Sequence, residues 1–175
     1  MTPARFRFET LAHGHDQAAF RCGDDALDRY FQTQVTQDIR RRITNCFVMV
    51  EAATSGVAAY YTLSAASIPF LDLPTQETKR LPRYPTLPAV RIGRLAVDQR
   101  FQRRGLGELM LMNAVHRSIQ DAAAVFALLV DAKNDQAAAF YQRYGFRPIP
   151  DKPRILFLPL ATAQKTLLQK MEPQR

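Results

Sequence analysis

A chain of 175 residues with 47% hydrophobic and 23% charged content can bury a real core without staples, and is most simply one domain spanning 1–175. No apolar run reaches the ~18 residues of a membrane span, and no charged n-region precedes an apolar one at the amino terminus, so neither a span nor a secretory signal is expected. The formal net charge is +8, and Cys22 and Cys46, with no CxxC, read as free thiols of a reducing, cytoplasmic compartment rather than as a metal site.

Residues 5–9, RFRFE, alternate and predict a first strand. His13 and His15 follow as solvent-exposed loop residues, and with His116 they make no metal-binding cluster. In CGDDALDRYFQTQVTQDI a helix starts with Asp24 or Asp25 at its cap, and Leu27, Tyr30, Phe31 and Val35 recur at helical spacing. CFVMVEAA (46–53) and VAAYYTLSAASI (57–68) read as a hairpin closed by Thr54-Ser55-Gly56. Residues 69–88 hold five of the eleven prolines and predict a long surface excursion with one short helix.

AVRIGRLAVD (89–98) is a strand, followed by a helix over 105–121 whose Gly107, Leu111, Val115 and Ile119 share one face. VFALLVDA (125–132) is a continuous apolar run, the pattern of a buried parallel strand reached by a right-handed crossover. DQAAAFYQRYGF predicts a helix ending at Gly145, RILFLPL a final strand, and ATAQKTLLQKM a terminal helix.

The stretch FQRRGLGELML raises the chemical question. It is not a P-loop, because Gly107 is followed by Glu108 rather than Lys-Ser/Thr. It is not a dinucleotide fingerprint either, because Met110 stands where the third glycine belongs. What remains is Gln102-x-x-Gly105-x-Gly107, a short turn opening a helix. Its backbone N–H groups and the positive helix end suit a pyrophosphate, and Arg103 and Arg104 could add charge-assisted contacts. The same residues also suit an ordinary turn with solvated arginines.

The charge is concentrated nearby. Lys79, Arg80, Arg83, Arg91, Arg94, Arg100, Arg103 and Arg104 face the single acid Asp98, so this segment carries +7 of the +8. Such a surface attracts polyanions, and nucleic acid becomes a serious partner beside the bland reading of a solvated basic face.

The order strand, Q-x-x-G-x-G, helix, buried strand ending VDAKN, then AAAFYQRYGF resembles the GNAT superfamily of acyl-CoA N-acyltransferases. FRCGDDALDRYF, YYTLS, IGRLAVD, VDAKN and FYQRYGF narrow the likeness to the GNAT toxins of bacterial toxin–antitoxin modules. The resemblance implies an α/β (α+β) fold with a mixed central sheet flanked by helices. It implies acetyl-CoA as cofactor, the α-amino group of aminoacyl-tRNA as acceptor, blocked translation, and a ribbon-helix-helix antitoxin as partner. A homodimer follows by analogy alone. Carried over by position, backbone groups of Leu95, Ala96 and Val97 would meet the pantetheine arm. The turn Gln102, Arg103, Arg104, Gly105, Leu106 and Gly107 would hold the pyrophosphate. Asn134 and Phe140 would sit beside the cofactor, and Tyr141 by the thioester sulfur. Arg103 stands where many relatives carry glycine, and Tyr144 where phenylalanine is common.

The physical reading agrees with these assignments. Gly93 inside its strand suggests a bulge or a packing glycine. A lysine acceptor, with pKa near ~10.4, is only about 0.04% neutral at pH 7 and needs a strong base, whereas an α-amine near ~7.7–8 is roughly 10–20% neutral. The strand before the turn offers Arg91 and Arg94 but no carboxylate before Asp98, which favours the α-amine. Tyr141 is the expected general acid, with a backbone N–H of residues 95–97 as oxyanion donor. Lys79, Arg80, Arg83, Arg91 and Arg94, with Arg40, Arg41 and Arg42, are expected to track an acceptor stem. Acetylation of a protein α-amine or small amine, and a non-catalytic CoA- or nucleic-acid-binding module, are the competing readings.

Overall fold

Strands and helices alternate in the computed structural model, which describes residues 5–171. The strands are β1 (Phe6–Thr10), β2 (Asn45–Glu51), β3 (Val57–Pro69), β4 (Thr86–Val97), β5 (Ala127–Asp131), β6 (Arg147–Ile149) and β7 (Lys152–Pro159). The helices are α1 (Asp25–Thr33), α2 (Val35–Arg40), α3 (Thr75–Thr78), α4 (Leu106–Gln120), α5 (Asp135–Arg143) and α6 (Leu160–Met171). The strand order is β1-β2-β3-β4-β5-β7-β6. β4 and β5 are parallel, whereas the pairs β1–β2, β2–β3, β5–β7 and β6–β7 are antiparallel, so the sheet is mixed as expected. Among the described residues no helix is long and apolar enough to cross a membrane.

Among the described residues, contacts divide the chain into two compact units, residues 5–64 with 93–114, and residues 65–92 with 115–171. In the first, α1 begins at Asp24, whose carboxylate accepts from the N–H groups of Ala26 and Leu27. Tyr30, Phe31 and Val35 then pack with Phe20, Val48, Val50 and Tyr60 into an aromatic-rich core. Phe31 stacks on Tyr60 with ring centroids 4.3 Å apart. The single helix expected from residue 24 onward is interrupted. Gln34 caps α1 and begins α2, and Arg42 at φ 59 closes α2 while Ile43 N–H donates back to Asp38 O. The β2–β3 hairpin turns through Ser55 at φ 58, next to Gly56.

In the second unit Ala89–Ile92 of β4 pair with Ala127–Val130 of β5, which is buried throughout that run as its apolar sequence requires. Ile68, Leu73, Leu87, Leu129, Ile149 and Phe157 form its core. β6 is absent from the sequence reading because RPI is too short and too proline-marked to read as a strand. It exists by pairing with β7, Arg147 with Phe157 and Pro148 with Leu156. Helix α4 buries Leu106, Met110, Leu111, Ala114 and Val115, a broader face than the predicted stripe, in which Gly107 and Ile119 are only half-buried.

Candidate active site

The first unit holds the turn. β4 ends at Val97, and Asp98 follows with 1% of its surface exposed. One carboxylate oxygen accepts from Arg21 N–H at 3.0 Å. The other accepts from Arg100 N–H at 3.0 Å and from Arg100 Nε at 2.8 Å. Burial alone would raise this carboxyl, but the hydrogen bonds from Arg100 and from the Arg21 backbone outweigh it and hold the group below the usual carboxylate range. In the sequence Asp98 stands out only as the lone acid among cations, and that isolation is the one local signal of its role.

Gln102 comes next, and its side-chain amide donates to Val97 O at 2.9 Å and to Cys22 O at 2.8 Å. Its side chain therefore fastens the turn to the strand end and to the amino-terminal loop, and also occupies one carbonyl of the Leu95–Val97 set. Arg103 adopts φ 63 and Gly105 φ 77, two left-handed residues separated by one, before Leu106 opens α4. Alternating handedness of this kind points successive N–H groups to one side and makes an anion-binding concavity, with a helix N-terminus behind it. A Cβ built on Gly105 meets nothing within 4 Å, so the space before it is open. Arg103 and Arg104 are exposed beside it. The geometry fits a diphosphate. Arg103 takes its positive φ with a full side chain, at a cost of about 1–2 kcal/mol.

Leu95 and Val97 are half-buried and Ala96 is buried. The Arg94 N–H is taken by the Thr62 hydroxyl at 3.1 Å, and a Cβ on Gly93 would sit 3.0 Å from that same oxygen. Gly93 thus leaves room for the Thr62 hydroxyl, the packing role that the sequence allows beside a bulge.

The second unit holds α5. Asn134 is its N-cap, with Oδ1 accepting from Ala137 N–H at 2.8 Å. Phe140 and Tyr144 are half-buried on one face, ring centroids 5.2 Å apart, and Tyr141 is rotated off that face as helical spacing requires. It is Tyr141 that points inward, edge-on to Phe146 at 5.5 Å. Among the described residues no buried side-chain polar atom lacks a partner and none engages the Tyr141 hydroxyl, so that oxygen reaches the surface while the ring stays buried. Burial pushes the Tyr141 phenol up to about 12.

The cations expected to form a basic track are divided between the two units. Lys79, Arg80 and Arg83 are exposed around the carboxyl end of α3 in the second unit, where Arg91 also lies, paired to Asp131 at 3.2 Å. Arg94 and Arg40–Arg42 belong to the first unit. The guanidinium carbon of Arg94 lies 3.4 Å from the centroid of the Tyr30 ring, and the Tyr30 hydroxyl donates to Asp38.

Of the two loop histidines, His13 is exposed as expected, but His15 is not. Its side chain is 10% exposed, Nδ1 accepts from Ala12 N–H and Nε2 donates to Glu9 at 2.6 Å. A turn three residues long brings the ring back onto its own backbone, which loop composition does not reveal. Cys22 and Cys46 are free, and burial pushes both thiols up to about 12, so neither has nucleophilic character.

An acetyltransferase (GNAT) domain model matches residues 80–156. The chain is 30% identical over 162 residues to a probable toxin TacT of Sinorhizobium fredii, covering 87% of this chain and 90% of that one. It is likewise 30% identical over 156 residues to a tRNA-acetylating toxin of Mycobacterium tuberculosis, covering 88% and 92%. Among solved structures, AtaT complexed with acetyl-methionyl-tRNAfMet matches with a TM-score of 0.85 at 27% identity, covering 93% of this chain and 99% of that one. AtaTR bound with AcCoA matches with a TM-score of 0.79 at 27% identity, covering 93% and 98%. The mixed sheet flanked by helices is the architecture shared with them.

Proposed function

The chain belongs to the GNAT acetyltransferase family and is an acetyl-CoA-dependent acetyltransferase; from that premise we propose that it is a toxin that acetylates the α-amino group of aminoacyl-tRNA in the cytoplasm and so blocks translation. A ribbon-helix-helix antitoxin is the partner this reading calls for. The observation that carries the reading is the turn at the entrance of α4. Its left-handed Arg103 and Gly105, fastened from behind by Gln102 and Asp98, make a diphosphate cradle.

Bound acetyl-CoA supplies an activated acetyl thioester. Backbone N–H groups from Arg103 to Gly107 bind its diphosphate, with Arg104 and Arg103 neutralising charge. Backbone groups of Leu95 and Ala96 orient the pantetheine amides as a strand would. Asn134, whose Oδ1 is spent on capping α5, offers its amide N–H to the cofactor, and Phe140 packs beside it.

Tyr141 is the general acid. A phenol pushed up to about 12 holds its proton throughout the physiological range and is a constant donor. Full transfer to a thiolate of pKa near ~8.5 is uphill by several pKa units at ~1.36 kcal/mol each. The phenol therefore donates a hydrogen bond to the sulfur as charge builds there, and the proton lost by the amine replaces any that it gives up. An α-amine is already partly neutral near pH 7, so no carboxylate base is required of β4. The similarity to a tRNA-acetylating toxin and the exposed cations around α3 support the choice of acceptor.

Tyr141→Phe tests the chemistry. Calorimetric affinity for acetyl-CoA should stay close to that of the unsubstituted protein while turnover falls roughly 10²–10⁴-fold. Full turnover in the variant would remove the phenol from the mechanism.

A further inference from the structure

The excursion between β3 and β4 carries a surface that the proposed chemistry does not use. Phe70, Leu71, Lys79, Arg83, Tyr84 and Pro85 line an open groove of about 670 Å³. Leu71 is 93% exposed and Tyr84 61%, a large apolar and aromatic display for so small a segment. The groove is held rather than loose. Phe70 N–H donates to Pro85 O across it at 3.0 Å, and Tyr84 N–H donates to Pro82 O at 2.9 Å. Lys152 pairs with Asp72 below it at 3.1 Å, and Arg147 pairs with Glu77 of α3.

Those pairs also reveal a selection. The acids of this segment, Asp72 and Glu77, are matched by Lys152 and Arg147, while among the described residues no carboxylate pairs with Lys79 or Arg83. Two uncommitted cations beside an exposed aromatic ring combine a backbone contact with a stacking platform. A second copy of the chain would bring the same cations face to face, which like-charge repulsion opposes.

We infer that this groove receives the unpaired, single-stranded end of an RNA, with a base stacked on Tyr84 and the flanking phosphates on Lys79 and Arg83. The assignment rests on the proposal that the acceptor is a tRNA, and it separates recognition of a single-stranded tail from attraction to the duplex. Stacking on an aromatic side chain is worth enough that its loss weakens binding roughly 5- to 100-fold.

The test uses the full chain and two fluorescent RNA hairpins, one with a single-stranded CCA tail and one blunt, titrated by polarisation. Tyr84→Ala should weaken the tailed hairpin by that factor and leave the blunt one unchanged, and Tyr84→Phe should bind both like the unsubstituted protein. Tyr84 is exposed, so a thermal melt should confirm an unaltered fold. Equal affinity of Tyr84→Ala for the tailed hairpin, or equal loss for both hairpins, overturns the groove alone. A change in sedimentation of Tyr84→Ala with RNA binding intact would overturn it too, and assign the surface to contacts between copies. Loss of binding to an acidic antitoxin segment in place of RNA would assign it to that partner. If the unsubstituted protein bound neither hairpin but still acetylated a small amine, the tRNA reading itself would fall, and the groove assignment with it.

Discussion

The turn at 98–107 and the excursion at 69–88 are both rich in cations, yet they use their side chains in opposite ways. In the turn the acid and the amide are spent internally: Asp98 on Arg21 and Arg100, and Gln102 on Val97 and Cys22. What faces outward there is backbone, flanked by the exposed side chains of Arg103 and Arg104. In the excursion the backbone is tied down by Phe70 with Pro85 and Tyr84 with Pro82, and what faces outward is side chain, Lys79, Arg83 and Tyr84. In the proposed reading, a site for one invariant ligand is built from fixed amides, because every molecule of acetyl-CoA presents the same diphosphate. In the same reading, a surface for a long, variable polyanion is built from long cationic side chains whose cost of ordering is met only on binding.

Substitutions should therefore divide by region. The largest effect on stability belongs to Asp98→Ala, which leaves the Arg21 and Arg100 N–H groups without their acceptor and should cost about 2–4 kcal/mol in denaturant melts. Because the Asp98 carboxyl is held below its unfolded value, its stabilisation is complete above the unfolded pKa and disappears as pH falls through the lower folded one. The unsubstituted protein should thus lose an acid-dependent share of stability that Asp98→Ala no longer has; identical acid profiles would mean the carboxylate is not the keystone of the turn.

Gly105→Ala comes next. Its Cβ meets no atom of the chain, so the expected loss of about 1–2 kcal/mol comes from the positive φ alone. Acetyl-CoA affinity should fall in the same variant, since the new methyl group projects from the cradle. Undiminished affinity would place the diphosphate elsewhere.

Replacing Lys79, Arg80 and Arg83 together by alanine should move stability by no more than about 0.5 kcal/mol, because these exposed side chains hold nothing up. The slope of log affinity for tRNA against log salt should nonetheless shrink by about 0.7–0.9 for each phosphate that is no longer neutralised. A variant that melts early, or whose salt slope is unchanged, would erase the contrast between the two regions.

Much of this is legible in the sequence. The turn is readable because glycine spacing and a following helix are local signals, and α5 because FYQRYGF ends on a glycine and an aromatic, the glycine adopting φ 94. The parallel strand β5 announces itself by an unbroken apolar run. Other features depend on partners distant in sequence. Gln102 reaches Cys22 across eighty positions and Asp98 reaches Arg21, so neither role has a local pattern. Arg94 reads as one more cation of the basic run, and only the fold sets its guanidinium against Tyr30. The groove around Tyr84 shows in the sequence only as a proline-rich excursion, because exposure of an aromatic ring is not a property that composition carries.

The central claim is the transfer of acetyl from acetyl-CoA to a charged tRNA, and release of free CoA thiol measures it directly. With bulk aminoacyl-tRNA the protein should release thiol continuously, and it should release almost none with the same tRNA after its amino acids are stripped. Rapid release with lysine-bearing peptides or small amines, and none with charged tRNA, would contradict the account.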